Sequence, residues 1–527
     1  MIEEDPDLII YNHNFYKPSI EKALNITEQY VIKNKLILTG GTSIDLALRT
    51  KGLHIYDDDE LPDYDIVSDQ NLYHAQQLAE ILCKEGLEDI NVINAFHIST
   101  VRVRFKRFPV LDSTYVPTNV YNKIPYMDIP IISDVIPIKE YSLSSLKINS
   151  IKRMNLSIKP NNSFRVIHPN YQKIDQRLSL GDLLNLTGIS LNIFNRLEKD
   201  TKRNKLLMEN FEFPDERIKF DTTRFSIPLD CISVDLNSIS YMGDSDNTQS
   251  KSPSNMIGNE IFIAQNNLCT QGYLAYALIH NEYKKLVTKD LLKDIIDPNL
   301  NIENNKLTID VPIGANILFF NCNNKMDELM NNFKTIYGKK TIKKYNRLLD
   351  LQNITYKLDY DSFNIELCDS YESRFTVNSV NINGFDIIIT NYNRVLAYFM
   401  YNYYLNQDSS FNNNIFSMYY HSLLKMIHNI HVLFEEKNIV DNHSIFYPSI
   451  NIYGINNYPH TYFAILEKLF HPEHVIRPSS SYPRYPKCKA TKPFDFSSSE
   501  FYLLDGLENK NITKTNMKHL LDERMVM

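Results

Sequence analysis

The sequence predicts an α+β fold: a small mixed sheet with helices, then a mainly helical segment, then a second α/β domain. Three observations carry this expectation. Short apolar strands alternate with helix-like segments over the first 116 residues. Helix-like periodicity dominates from Leu178 to Met208. Between Tyr241 and Gly258 the chain turns small, polar and poor in apolar residues, as a linker does. The expected domains are therefore 1–160, a helical region at 161–240, a linker at 241–258 and a C-terminal α/β domain at 259–527.

Ser19–Val31 places Ile20, Ala23, Leu24, Ile26 and Tyr30 at helical spacing, and a strand follows at Leu36–Leu38. That strand runs into Gly40-Gly41-Thr42-Ser43, which reads as a tight turn opening a helix to Arg49. A second strand is expected at Asp63–Val67, an amphipathic helix at Leu72–Gly86, and strands at His97–Phe108 and Val110–Val116. HPNYQKIDQ (168–176) reads as polar and turn-rich, and Lys147–Lys159 as helical. Farther on, a helix is expected over Asn259–Val287, and strands at Thr308–Cys322, Phe363–Cys368 and Phe375–Thr390. Helices should dominate from Arg394 to Lys437. The strand ANILFFNC with the helix Met326–Tyr337 echoes the N-terminal half, without its Gly-Gly turn or paired acids.

Hydrophobic residues at 43% and charged residues at 23% are ordinary for a soluble globular protein. The formal net charge of -7 argues against a globally basic nucleic-acid binder, so a polynucleotide would need a local basic patch. Six cysteines, none in a CxxC pair, suggest reduced thiols in an intracellular protein and no structural zinc. The acidic start MIEEDPDLII lacks the pattern of a signal peptide, and no run approaches the ~20 apolar residues of a membrane span.

The chemistry concentrates between residues 35 and 69. In a strand, side chains alternate, so Asp63 and Asp65 project from one face. Two carboxylates so close repel unless a cation lies between them, and a hard cation such as Mg²⁺ takes oxygen ligands shared with substrate phosphates. Gly40, Gly41, Thr42 and Ser43 at a helix N-terminus suit a triphosphate. Asp112, an aspartate inside a predicted strand, supplies a third carboxylate. In a two-metal arrangement Asp63 and Asp65 would hold both ions, and Asp112 the second, where it would help activate a hydroxyl. The competing interpretation is a tight turn with a solvated acidic strand edge. The motif by itself says nucleotidyl transfer and no more.

This pattern resembles the nucleotidyltransferase superfamily typified by DNA polymerase beta, with Gly-Gly followed by Asp-x-Asp and a later Asp. The segments FRVIHPNYQKIDQRLSL (164–180) and NRLEKDTKRNKLL (195–207) are further similar to the catalytic poly(A) polymerases of large cytoplasmic DNA viruses, those of mimivirus relatives above all. Thr42 stands where many relatives have Ser. The resemblance implies ATP-dependent, template-free adenylate addition to an mRNA 3′ end with two Mg²⁺ or Mn²⁺ ions. It also implies a homodimer with a second, degenerate nucleotidyltransferase-like domain, and a place in the host cytoplasm (viral factory) or virion. Transfer of another nucleotide, a different acceptor such as a tRNA 3′ end, and a catalytically inactive RNA-binding scaffold stand as alternatives.

Candidate RNA contacts are Arg102, Arg104 and Lys106 on one strand face, with Lys147, Lys152 and Arg153 following. Further candidates are a helical cluster of Lys339, Lys340, Lys343 and Lys344, and the stretch Arg477–Lys492 with Tyr482 and Tyr485. His460, His471 and His474 lack the ligand spacing of a metal site.

Overall fold

The computed structural model describes residues 6–56, 61–94, 100–106, 108–116, 118–130, 163–187, 191–234, 240–241, 262–264, 268–321, 326–338, 342–347, 350–369, 375–405, 412–437, 445–447 and 451–453. These fall into two compact units, one from residues up to 172 together with 205–212, the other from 173–204 and 213–462.

In the first unit, helix α1 (Pro6–Lys33) extends beyond the expected Ser19–Val31 and buries Ile20, Ala23, Leu24, Tyr30 and Val31. Strand β1 (Ile37–Thr39) passes directly into α2 (Gly40–Arg49), followed by β2 (Asp65–Ser68) and α3 (Asn71–Lys84). Then come β3 (Ile90–Asn94), β4 (Thr100–Phe105), β5 (Phe108–Tyr115), α4 (Thr118–Tyr121), β6 (Tyr126–Pro130) and β7 (Ser163–Ile167). The seven strands form one mixed sheet in the order β3-β4-β5-β2-β1-β7-β6. Neighbours β5/β2 and β1/β7 are parallel, the rest antiparallel. The core lies between this sheet and the apolar faces of α1 and α3, with Leu38, Ile66, Leu78, Leu82, Val103 and Leu111 fully buried.

Two sequence expectations shift here. The second strand begins at Asp65, so Asp63 precedes it, although burial still alternates through Asp63 (exposed), Tyr64 (buried) and Asp65 (half-buried). The predicted strand His97–Phe108 is β4 plus the start of β5: Lys106, at φ +56, turns the chain into a hairpin.

Helices α5 (Pro169–Thr187) and α6 (Leu191–Asn210) follow. HPNYQKIDQ is thus the start of a helix rather than a turn; Pro169 sits at its first position, where a missing N–H costs nothing. The second unit holds β8 (Thr222–Pro228), β9 (Ser240–Tyr241), β10 (Phe262–Ala264), β11 (Leu268–Gln271), α7 (Gly272–Leu286), β12 (Asn301–Glu303) and β13 (Lys306–Pro312). It continues with β14 (Ala315–Asn321), α8 (Met326–Tyr337), β15 (Ile342–Arg347), β16 (Asp350–Asp359), β17 (Phe363–Asp369), β18 (Phe375–Ile382) and β19 (Phe385–Thr390). Last come α9 (Tyr392–Leu405), α10 (Asn414–Glu436) and β20 (Asn451–Tyr453). Strands β12, β13 and β8 make a small antiparallel sheet, and the other ten strands make one large sheet.

The expected helix over 259–287 is therefore strand then helix. Gly272, at φ +72, breaks the apolar run that periodicity alone could not divide. Thr308–Cys322 spans two strands in different sheets, parted by Gly314 at φ +85. Phe375–Thr390 is a hairpin whose Asn383-Gly384 turn has both φ positive. Lys343 and Lys344 lie in strand β15, not in a helix, because this segment pairs with β16.

Seven strands of the large sheet, β15-β16-β17-β14-β11-β19-β18, repeat the first unit's sheet strand for strand, with the same parallel and antiparallel pairs. Strand β11 and α7 correspond to β1 and α2, and β14 and α8 to β2 and α3. The ANILFFNC strand thus matches the aspartate strand rather than the glycine strand.

Candidate active site

Three strands of the first unit bring the expected residues together. The β1/β2 register sets Thr39 against Asp65, and the β2/β5 register sets Asp65 against Asp112. The amide of Asp112 donates to the Tyr64 carbonyl at 2.9 Å, so all three aspartates hang on one stretch of ladder. Sheet topology thus makes one acidic site of residues nearly fifty positions apart.

Gly40 leaves β1 at φ +66, a conformation glycine adopts at no steric cost. A Cβ there would lie 2.1 Å from Asp65 Oδ2 and 3.1 Å from Asp65 Cβ. The glycine is needed twice, for the backbone turn and for the carboxylate against it. Thr39, extended at the N-cap, donates its hydroxyl to Gln172 Oε1 at 3.0 Å, so its side chain does not cap α2. Thr42 donates to the Asp63 carbonyl at 2.5 Å, tying the helix to the aspartate segment. Ser43 Oγ is buried and meets no hydrogen-bond partner among the described residues. The first turn of α2 carries no acidic side chain. A helix N-terminus leaves its first backbone N–H groups without intrahelical partners, which suits a phosphate.

Behind the site, the Tyr64 hydroxyl donates to Glu28 of α1, and both side chains are buried. Burial, then the Glu28 carboxylate, pushes the Tyr64 hydroxyl well above its usual range, so it keeps its proton. Tyr64 is anchored on the core side while its neighbours Asp63 and Asp65 face away. At the far end of α2, Asp45 and Arg49 form a buried ion pair at 2.6 Å. Asp45 Oδ1 also accepts from the amides of Ile55 and Tyr56 at 3.0 and 3.3 Å, fixing the loop that leaves α2.

Arg102, expected on an RNA-facing strand, points instead at Asp112. It stands directly opposite on β4, and its Nε and Nη2 donate to Oδ1 and Oδ2 at 2.6 and 2.5 Å. Hydrogen bonding to Asp112 raises the guanidinium's pKa against the cost of burial, and Asp63 and Asp65 add to the rise. Arg104, next on that face, is shifted down by burial and by Arg102. Glu28, Tyr64 and Gln172 carry no local mark of a site residue in the sequence, and the Arg102/Arg104 alternation signals a basic strand face without showing that Asp112 is the partner of Arg102.

The donor set fits a hard divalent cation, since three carboxylates supply the oxygen ligands such ions take. Among the described residues, though, no group of three or more His, Cys, Asp or Glu side chains is spaced to hold a metal ion as it stands. Asp112 directs both oxygens to Arg102. Lys147, Lys152, Arg153, Lys339, Lys340, Arg477–Lys492 and the three C-terminal histidines lie outside the described residues. No described helix is long and apolar enough to cross a membrane.

Similarity to known proteins is found at the level of family, sequence and fold. Residues 25–150 match the family model of the poly(A) polymerase catalytic subunit. Two African swine fever virus proteins, from strain Badajoz 1971 Vero-adapted and isolate Tick/South Africa/Pretoriuskop Pr4/1996, carry the name "Putative poly(A) polymerase catalytic subunit". Each is 30% identical over 217 residues, 41% of this chain. The chain spans only 39% of the length of these relatives. The crystal structure of the Megavirus polyadenylate synthase shares the fold, with a TM-score of 0.53 at 16% identity, covering 89% of this chain and 82% of that one. The glycine turn and the three aspartates all lie within residues 25–150, the segment that matches the poly(A) polymerase catalytic subunit model.

Proposed function

We propose that the protein is a polynucleotide adenylyltransferase that adds AMP from ATP to the 3′ end of mRNA. The 3′-oxygen bonds to the α-phosphorus, the α–β anhydride breaks, and pyrophosphate leaves. The observation that carries this reading is the register that sets the Gly40 turn, Asp65 and Asp112 on adjacent strands. Nucleotidyl transfer needs a triphosphate cradle beside oxygen ligands, and this arrangement supplies both.

Asp63 and Asp65 would hold two Mg²⁺ or Mn²⁺ ions, and Asp112 the second of them. When bound, such ions neutralise phosphate charge and lower the pKa of an attacking hydroxyl. The chain's own residues do the rest. The first turn of α2 binds the triphosphate through backbone N–H groups, and Gly40 lets it approach the carboxylates. Thr42 and Tyr64 hold the aspartate segment in place from either side. Asp112 takes the 3′-hydroxyl proton once its oxygens are released from Arg102. The protein acts as a homodimer in the cytoplasm of the infected cell, and a monomeric mass by light scattering at micromolar concentration would refute the dimer.

The deciding test is a tailing assay with RNA, Mg²⁺ and each NTP supplied separately. ATP alone should give extension, abolished by Asp63→Ala or Asp65→Ala. Equal extension by all four NTPs, or extension by either variant at the wild-type rate, would overturn the reading.

A further inference from the structure

We propose that Arg102 is the resident counter-cation of the three-aspartate site, holding Asp112 until a divalent cation displaces it. This rests on the reading above that the three aspartates bind divalent cations. The fork between Arg102 and Asp112 uses both carboxylate oxygens, one per guanidinium nitrogen. Bidentate, charge-assisted bonds of this length are among the stronger side-chain contacts. A metal ion that takes an Asp112 oxygen competes with the fork for that oxygen's negative charge and sets a second positive charge beside the guanidinium.

The surrounding charge points the same way. Asp63 and Asp65 both act on Arg102, so one guanidinium serves three carboxylates. Without a cation, Asp65 and Asp112 at paired ladder positions, with Asp63 two residues before the strand pair, would repel one another. With a divalent cation among them, Arg102 becomes a like charge beside the metal. Arg102 is 30% exposed against 12% for Asp112, so the cation is the more accessible partner of the pair. A merely orienting Arg102 would strengthen metal binding, whereas a counter-cation competes with it. The two roles predict opposite signs.

The experiment titrates the full-length protein with Mn²⁺ alone, without nucleotide, counting bound ion by electron paramagnetic resonance. Arg102→Met should bind Mn²⁺ about tenfold tighter than wild type, the scale of a lost charged hydrogen bond. Its thermal midpoint should be lower than wild type without metal and rise further when Mn²⁺ is added. On an Asp112→Asn background, Arg102→Met should change Mn²⁺ affinity by less than about twofold. Arg102→Lys, which keeps the charge but not the fork, should fall between wild type and Arg102→Met and serves if the latter fails to fold. Equal or weaker Mn²⁺ binding by these Arg102 variants overturns the proposal while leaving the metal site intact. If Asp63→Ala binds Mn²⁺ as wild type does, the metal reading itself falls, and this proposal with it.

Discussion

The two units carry the same seven-stranded arrangement, and each has one left-handed glycine where its central strand enters a helix, Gly40 and Gly272. What faces that glycine differs. A Cβ on Gly40 would strike the Asp65 carboxylate, whereas one on Gly272 would meet the Tyr398 ring at 3.1 Å. By register, Asp65 corresponds to Leu318, Asp63 to Asn316 and Asp112 to Glu366. Lys357 stands opposite Glu366 as Arg102 stands opposite Asp112. The Tyr398 hydroxyl donates to the Asn316 carbonyl at 2.6 Å, much as Thr42 donates to that of Asp63. The glycine turn thus belongs to the architecture; the chemistry depends on whether a carboxylate or a core aromatic ring occupies the space beside it.

The largest effect that would break this comparison is on the acids. Asp65→Asn should cost on the order of a thousandfold in tailing rate with the melting point unchanged or raised. Glu366→Gln, at the buried counterpart of Asp112, should lower stability by about 1–3 kcal/mol and leave the rate per folded molecule within about twofold. Next come the glycines. Gly40→Ala should lose on the order of a hundredfold in rate, because the methyl displaces Asp65. Gly272→Ala should act through stability alone, by about 1–3 kcal/mol of backbone strain. Denaturant melts alongside rates separate the two, and a rate loss in Gly272→Ala without unfolding would contradict the division of labour.

Smaller still, Tyr64→Phe strips a buried carboxylate of a hydrogen bond and should cost about 1–3 kcal/mol, against about 1 kcal/mol for Tyr398→Phe, whose acceptor is a neutral carbonyl. The gentlest probe is acid. Among the described residues, the half-buried His74 and the buried His280 have pKa values lowered by desolvation, His74 to about 4 and His280 in the same direction. An ordinary histidine titrates near 6.5, so as pH falls the unfolded chain takes up the proton first. Stability is complete above about pH 6.5 and is lost toward pH 4, by at most about 1.4 kcal/mol per pH unit for each histidine. Melting curves of His74→Gln and wild type should converge across that window.

The candidate site is legible because its signals are local: Gly-Gly after an apolar strand, then aspartates two apart. Asp112 was legible because an acid inside an apolar strand demands a reason. Arg102 was not, since cross-strand neighbours leave no mark in a single sequence; its alternation with Arg104 looked like an outward basic face. The turn at Asn383-Gly384 has a plain sequence signal, an Asn-Gly pair, inside what periodicity alone reads as one longer strand. The internal repeat escaped notice for a deeper reason. What repeats is strand order and register, while of the aligned site residues only the glycine, one carboxylate position and the basic residue opposite it survive in kind.

Strand β1 carries a consequence for folding. It pairs on one side with β2 and on the other with β7, where Ile37 meets Arg165. The β7 strand lies beyond residue 150, where the family-matched segment ends. During synthesis the strand bearing the glycine turn therefore remains a bare edge until β7 emerges, and closing that long loop is the slow kind of step. A fragment cut at Ser150 would keep every acidic ligand yet leave β1 open to pairing between chains, a template for aggregation rather than an enzyme.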